Sequence, residues 1–596
     1  MPEDLHINYG TVMGIPPARN IALGPLSLAL VAGDLVGVRY HGVEVLRRLA
    51  YPVRDADWGT MAVETLAETV DAGPAQLRYD RTFAVEDGAL RGRFLVTAST
   101  TDTARLSARL TLTATRDVTV NRAGFVVLHP VAGVAGQPLK VTHSDGSLRD
   151  THFPTAISPG QPVFDISGLA HAIQGFQVDL AFGGDVFEME DQRNWSDASF
   201  KTYCRPLARP RPYVLHAGDE IGQEIVLSLS GTVGPRATQG KVNRKVTCPG
   251  IALAADAGDR LDVVGLSDLP IALRCGPALS VGDLAGLPTR DVTLEIVLPD
   301  GHDPGAALHL IARTCAGAGV LPRHVVALPA TYLASHQPDG PWPDGPAPRD
   351  LIALVRAAFP DARAGTGVLT NFTELNRCPP DAIAADFVTF STTAIVHAAD
   401  DLSVLQTLEA LPHILSSAKH LGAGRPLRLG LVSIGMRVNP YGRDVAANPN
   451  LERIAMAKDD PRQRGLFAAA WAVGAWAEIA GEGGESLCLG MTQGPLALGS
   501  GSTLYPIHHV VRAAADLAGH AAHKVDAGGL IGLVSLGGGM VVNLGHAPLP
   551  VPKGTTHVLS ADTFAAASAD HAWLQKPGQV PADMPPFAVA FLRGAA

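Results

Sequence analysis

The chain has 596 residues, with 47 Lys and Arg against 57 Asp and Glu, and its formal net charge of −10 comes with no clustered basic run. That balance excludes nucleic-acid binding, which needs concentrated positive charge against phosphates, and the length exceeds what one hydrophobic core organises. An apolar fraction of 46% excludes disorder on the scale of a domain, while 63 glycines and 45 prolines promise many turns.

In chain order, Met1-Pro2-Glu3-Asp4 opens with neither a basic stretch nor an apolar run, so no secretory signal is expected and the reading is cytoplasmic. Leu106, Ala108, Leu110, Leu112 and Ala114 then alternate with polar residues, the period of a strand buried on one face, and Ile225, Leu227 and Leu229 repeat it. Further runs at Leu26–Val31, Leu35–Tyr40, Arg93–Thr97 and Phe125–His129 are separated by Gly, Asp and Asn turns. Residues 1–245 therefore read as an N-terminal antiparallel β-sandwich.

After Cys248-Pro249-Gly250 the pattern changes to short apolar runs alternating with helix-length Ala/Leu segments. Val292–Leu298, Val325–Leu328, Gly365–Thr370, Asp386–Ser391, Leu427–Ser433 and Ser486–Gly490 read as buried parallel strands, with Ile271–Cys275 a weaker seventh. Ala306–Ala316, Arg349–Ala358, Val404–His420 and Arg464–Ile479 read as the helices between them. Such repetition over residues 246–523 predicts a (β/α)8 TIM barrel with one strand unplaced; a doubly wound sheet would carry a Gly-rich phosphate loop, and none is present. Residues 524–596 return to β, with Leu530–Leu536, Met540–Leu544, His557–Ser560 and Ala588–Leu592, and predict a small C-terminal β domain. The fold class is thus multidomain, α/β plus β. No apolar run approaches the roughly 20 residues of a membrane span. The six cysteines, scattered without a CxxC pair, suit reduced buried thiols, so neither a metal nor a cofactor is expected.

Barrel chemistry belongs just past the strand ends. There, Asn371-Phe372-Thr373-Glu374-Leu375-Asn376-Arg377 sets Glu374 between the amides of Asn371 and Asn376 as a candidate general acid or base, or as part of a satisfied helix start. After the next strand comes His397, followed by Asp400 and Asp401, which could fix its tautomer or simply cap a helix. Arg437 and Asn439 follow a later strand, Arg437 offering a fork of donors for an oxyanion or for a salt bridge. In the first domain, the polar stretch 188–203 fits neither period and reads as a loop, with Glu190, Asp191, Asn194, Trp195, Asp197 and Lys201 suited to polyol recognition. Two elbow-like runs, Gly430–Gly435 and Gly532–Gly537, have two residues where GxSxG needs one, so Ser433 and Ser535 are expected on strands.

The runs Phe187–Tyr203, Phe372-Thr373-Glu374-Leu375-Asn376-Arg377, Val396-His397-Ala398 and Met436-Arg437-Val438-Asn439-Pro440 together resemble the D-apionate lactonases of bacterial D-apiose catabolism, TIM-barrel hydrolases related to the large glycosidase clan. The resemblance covers nearly the whole chain and implies hydrolysis of a small-molecule sugar lactone, D-apionolactone, to D-apionate. On that reading Glu374 or His397 activates water, the other protonates the departing ring oxygen, Arg437 and Lys201 stabilise the oxyanion, and the 188–203 loop must reach the barrel mouth. A retaining glycosidase is the alternative, but it needs a second carboxylate about 5 Å away. The strand Ser486–Gly490 instead leads to Met491-Thr492-Gln493, with Glu485 at its wrong end. A non-catalytic carbohydrate-binding barrel is the third reading.

Overall fold

Period-two alternation puts Leu106, Ala108, Leu110 and Leu112 on the buried face of the strand Ala104–Ala114, and Ile225, Leu227 and Leu229 on that of Glu220–Ser230. In the computed structural model, which describes residues 2–101, 103–231, 244–287, 291–380, 382–442 and 444–594, these strands pair antiparallel within a nine-stranded sheet. A second, eight-stranded sheet runs from Ala18–Leu23 to Val163–Ile166. Leu46, Leu49 and Phe187 of that sheet share one core with Phe94, Leu110 and Leu180 of the other, which is the packing of the expected sandwich.

The 188–203 stretch is not a loop but a hairpin. Phe187–Asp191 and Ser199–Tyr203 pair with Glu190 opposite Lys201, and a short 3-10 turn, Gln192–Trp195, begins the connection. Alternation fails here because both strands are buried on both faces. The charges are matched in place: Arg193 holds Asp191 at 2.7 Å, Lys201 holds Glu190 at 2.6 Å, and the Tyr203 hydroxyl donates to Glu188 at 2.6 Å.

Eight parallel strands close the barrel: Gly250–Asp256, Ile271–Cys275, Val292–Leu298, His324–Pro329, Arg363–Asn371, Phe387–Thr393, Arg428–Ser433 and Ser486–Met491. The strand that the sequence leaves unplaced is the first. Gly250-Ile251-Ala252-Leu253-Ala254-Ala255-Asp256 has one β-branched residue and no aromatic, so its strand character comes from its pairing with the second and eighth strands. Counting it makes Glu374 follow the fifth strand. Among the helices, Asp401–Leu421 starts from Asp400, whose side chain accepts the Ser403 N–H, the capping role considered for it. Leu466–Gly481 is buried along its whole length, packed on Asp401–Leu421, on Ile507–Asp516 and on the C-terminal sheet.

That last sheet has six antiparallel strands in the order Lys245–Thr247, Ala521–Ala527, Leu530–Ser535, Gly538–Asn543, Val589–Arg593 and Thr555–Leu559. The described residues form two compact units. One is the sandwich, residues 15–193 and 198–231; the other holds residues 2–14 and 244–594 together with the hairpin tip Asn194–Asp197. Ser433 and Ser535 end strands, and all six cysteines are free. Among the described residues no helix is long and apolar enough to cross a membrane.

Candidate active site

The fifth barrel strand ends at Asn371 and turns at once into the helix Phe372–Arg377. Glu374 reaches back so that its Oε2 accepts the Asn371 N–H at 3.0 Å, which satisfies the first turn. Glu374 is 4% exposed, and its Oε1 makes no hydrogen bond. Burial pushes its carboxyl up to about 7, against the smaller opposing pulls of the nearby Ser335 hydroxyl, the Asn371 amide and the Arg377 guanidinium. A carboxyl in that range exchanges protons readily at neutral pH. Over it sits Tyr441, whose hydroxyl lies 3.2 Å from Thr373 Oγ1 and accepts from Asn371 Nδ2 at 3.3 Å. Burial and the Glu374 charge hold that phenol well above its usual range.

The hairpin tip is tied to the ends of the fifth and sixth strands. Thr373 Oγ1 donates to the Asn194 carbonyl at 2.6 Å, Asn376 Nδ2 donates to Asn194 Oδ1 at 2.9 Å, and Ser196 and Thr392 share a hydrogen bond of 2.9 Å. Ser196 adopts φ 71°, which turns the chain sharply enough to aim Asp197 at His397. His397 Nδ1 and Asp197 Oδ2 are 2.6 Å apart, with the imidazole about a quarter exposed. A carboxylate that accepts from Nδ1 fixes the tautomer and leaves Nε2 with a lone pair. The carboxylate partner expected from Asp400 and Asp401 comes instead from a residue 200 positions earlier. Trp195 packs edge-on against His397 at 5.4 Å and against Tyr441 at 4.7 Å, so His397 and the Glu374–Tyr441 pair flank one indole. Arg377 lies over the same ring at 4.8 Å.

Arg437 follows the seventh strand and is nearly buried. It meets Asp256 at 2.8 Å and Glu295 at 3.2 Å, while Arg274 holds the same Glu295 oxygen at 3.0 Å. Burial alone would lower its pKa, but the charges of Glu295 and Asp256 outweigh that and raise it. Its guanidinium lines, with Asn371, Thr392 and Ser433, a cavity of about 10 Å³, space for on the order of one water. The barrel unit also holds a cleft of about 430 Å³, lined by Tyr332, Trp342, Arg349, Asp350, Arg377 and Cys378 among others. Among the described residues no group of three or more His, Cys, Asp or Glu is arranged to hold a metal ion.

Of the residues singled out from sequence, Glu374, His397, Arg437, Asn371, Asn376, Asn194, Trp195 and Asp197 lie in the barrel unit around these contacts. Asn439 spends its amide on its own loop, donating to the Asp444 carbonyl at 2.7 Å and accepting from the Tyr441 N–H at 2.9 Å. Glu190, Asp191 and Lys201 belong to the sandwich unit, where Asp191 and Glu190 already carry the ion pairs described; burial holds the Lys201 ammonium below its usual range, with Glu190 opposing. Tyr441, Ser335 and Glu295, which touch these groups, are not singled out by the sequence, and Arg377 figures there only as the end of the Asn371–Arg377 run. Glu295 carries a legible signal, a lone carboxylate inside the apolar strand Val292–Leu298, where an unpaired charge is too costly to leave.

Glu374 and the Asp197–His397 pair follow the C-terminal ends of strands in a closed (β/α)8 barrel, the end at which TIM-barrel enzymes carry their chemistry. Within that class the chain belongs to the D-apionate lactonase family. The model of the D-apionate lactonase TIM barrel domain matches residues 277–519, and that of the N-terminal domain matches residues 6–232. A D-apionate lactonase of Brucella anthropi is 40% identical over 527 residues, which cover 84% of this chain and 86% of that protein. Among solved structures, the GH36 alpha-galactosidase AgaA of Geobacillus stearothermophilus aligns over 97% of this chain and 100% of its own at 9% identity and a TM-score of 0.26. A GH30 endoxylanase of Clostridium papyrosolvens aligns over 60% of this chain and 98% of its own at 11% identity and a TM-score of 0.36.

Proposed function

We propose that this chain hydrolyses a sugar lactone, D-apionolactone to D-apionate in D-apiose catabolism, by general-base activation of water. Membership of the family supports the substrate, and the Asp197–His397 pair beside Glu374 is the observation that carries the mechanism. His397 Nε2 takes a proton from water as its oxygen attacks the lactone carbonyl, and Asp197 stabilises the imidazolium that forms. Collapse of the tetrahedral intermediate breaks the acyl–oxygen bond, and Glu374, protonated below a pKa of about 7, supplies the proton to the departing ring oxygen. The acid product ionises, so each turnover releases a proton to solution. Arg437 contributes hydrogen bonding at the strand ends rather than net charge, because Asp256 and Glu295 already balance it. Asn371, Asn376, Asn194 and Trp195 shape the surroundings of the lactone.

Acid release from D-apionolactone, followed with a pH indicator, tests this against a panel of aryl glycosides. Wild type opens the lactone and leaves the glycosides intact, His397→Gln loses nearly all turnover, and Asp197→Asn lowers kcat by roughly 10²-fold or more, the cost of an imidazole no longer held in one tautomer. An inert lactone together with glycoside turnover would replace the reading by that of a glycosidase, and full activity in both variants would remove the base from His397.

A further inference from the structure

Arg377 differs from other buried or half-buried guanidinium groups of the barrel unit. Arg437 is paired with Asp256 and Glu295, Arg453 with Asp401, and Arg462 with Asp460 and Asp401. Arg377, among the described residues, has no carboxylate within ion-pair distance. Its NH1 donates to Ser335 Oγ at 3.1 Å, its plane covers the Trp195 ring at 4.8 Å, and its buried Nε has no hydrogen-bond partner. A half-buried cation without a counter-ion has given up part of its hydration without the usual compensation. Glu374 is near enough to feel its charge, and burial keeps that carboxyl partly protonated.

Arg377 also forms part of the wall of the 430 Å³ cleft. Tyr332 and Trp342 give that cleft aromatic surfaces suited to the C–H faces of a sugar. Its other charged groups are locally engaged. Asp350 accepts the Ala347 N–H at 2.8 Å and lies 3.9 Å from Arg349, whose side chain is 55% exposed. The cleft is therefore polar and roomy, with one inner cation left uncompensated.

We propose that this cleft is a carboxylate subsite, in which Arg377 receives the carbonyl end of a polyhydroxy lactone and holds the carboxylate of the hydroxy acid formed from it. The inference rests on the lactone-hydrolysis reading and adds to it a residue and a product preference. Ring opening turns a neutral acyl group into an anion, and the guanidinium fork matches a carboxylate with two parallel hydrogen bonds. Arg377 then binds product more tightly than any neutral polyol, so the enzyme is inhibited by its own product.

Calorimetric titration of wild type, Arg377→Met and Arg377→Gln with D-apionate and with the corresponding uncharged alditol tests this. Wild type binds the carboxylate at least tenfold more tightly than the alditol, and both variants lose that preference while alditol affinity changes less than threefold. Arg377→Gln keeps a donor for Ser335, so it reports the charge should Arg377→Met fail to fold. No preference for the carboxylate in wild type, or a preference that survives in the folded variants, overturns the subsite. Lactone opening is measured separately: turnover without a carboxylate preference removes the subsite alone, whereas an Arg377-dependent preference without turnover removes the lactonase reading alone.

Discussion

Glu374 is the residue whose surroundings and whose proposed task make the same demand. Its burial favours the neutral acid, and the neutral acid is what a departing alkoxide needs. The pH dependence follows from the shift from 4.5 to about 7. Below pH 4.5 the side chain is protonated in both the folded and the unfolded chain, and the full benefit of burying it neutral is present. Between 4.5 and 7 the unfolded chain releases a proton that the folded chain retains, so stability falls as pH rises, by up to about 3 kcal/mol once 7 is passed. Glu374→Gln keeps the bond from the Asn371 N–H but cannot ionise. Urea unfolding of the two proteins at pH 5 and pH 8 should show the variant gaining on wild type by about 2–3 kcal/mol toward pH 8. In the same variant the basic limb of kcat/KM near pH 7 should disappear; a limb that persists assigns the titration elsewhere. Glu374 was visible in the sequence because it lies three residues past a strand end. The carboxylate that orients His397 was not, because Asp197 approaches only through a hairpin tip 200 residues upstream and no local period encodes that contact.

At the scale of elements, the fifth strand decides where Asn371 and Glu374 stand. Its pairing with the sixth strand runs in register from Gly365 to Gly367 and resumes, shifted, at Asn371. Gly367 makes this possible: it has φ +124°, and a Cβ there would lie 2.1 Å from the Thr389 carbonyl oxygen, a backbone atom that cannot swing aside. Gly367→Ala should therefore cost at least about 2 kcal/mol in urea unfolding and lower activity with it, since the strain can be relieved only by moving the strand that ends in Asn371. An alanine variant with unchanged midpoint and rate would mean that the irregular pairing does not set the site. The sequence marked most barrel strands as apolar runs, because a parallel sheet covered on both sides needs apolar residues throughout. It hid the first strand, whose alanines carry no propensity for a sheet, and it misread the hairpin 188–203, whose charges are paired inside the fold and so look on paper like a solvated loop. Where burial is purely apolar the pattern is legible; where burial is bought with ion pairs, the partner must be known before the strand can be.

For the whole molecule, each of the two compact units carries its own acid-sensitive groups. The sandwich unit buries His129 and His171 in neutral form, and the barrel unit buries His324, His508 and His509. In the sandwich unit burial lowers His129 to about 3, helped by His171, and lowers His171 to about 4. In the barrel unit His324 falls to about 3, through burial and the charges of Arg428 and Arg363, and His509 to about 4, chiefly through burial. Each of these groups stabilises the fold above the unfolded value of 6.5, and that stability is lost as pH falls through the window down to the folded value, because the unfolded chain binds protons that the folded chain refuses. The slope is up to about 1.4 kcal/mol per pH unit for each histidine. Buried carboxyls act in the opposite sense in both units: burial raises Glu374 to about 7 and also raises Glu478 in the barrel unit, and it raises Asp191 in the sandwich unit. Between pH 7 and pH 5 the sandwich should therefore lose stability through His129 and His171. Pulse proteolysis in graded urea, with fragments assigned by mass, should show sandwich peptides released at progressively lower urea as the pH is lowered. His171→Leu isolates the cause: both ring nitrogens of His171 lack hydrogen-bond partners and the ring packs on Phe153, so an apolar replacement loses no polar contact. That variant should flatten the sandwich's dependence by about 1 kcal/mol per pH unit below 6.5, and a slope unchanged from wild type would move the acid sensitivity to other groups.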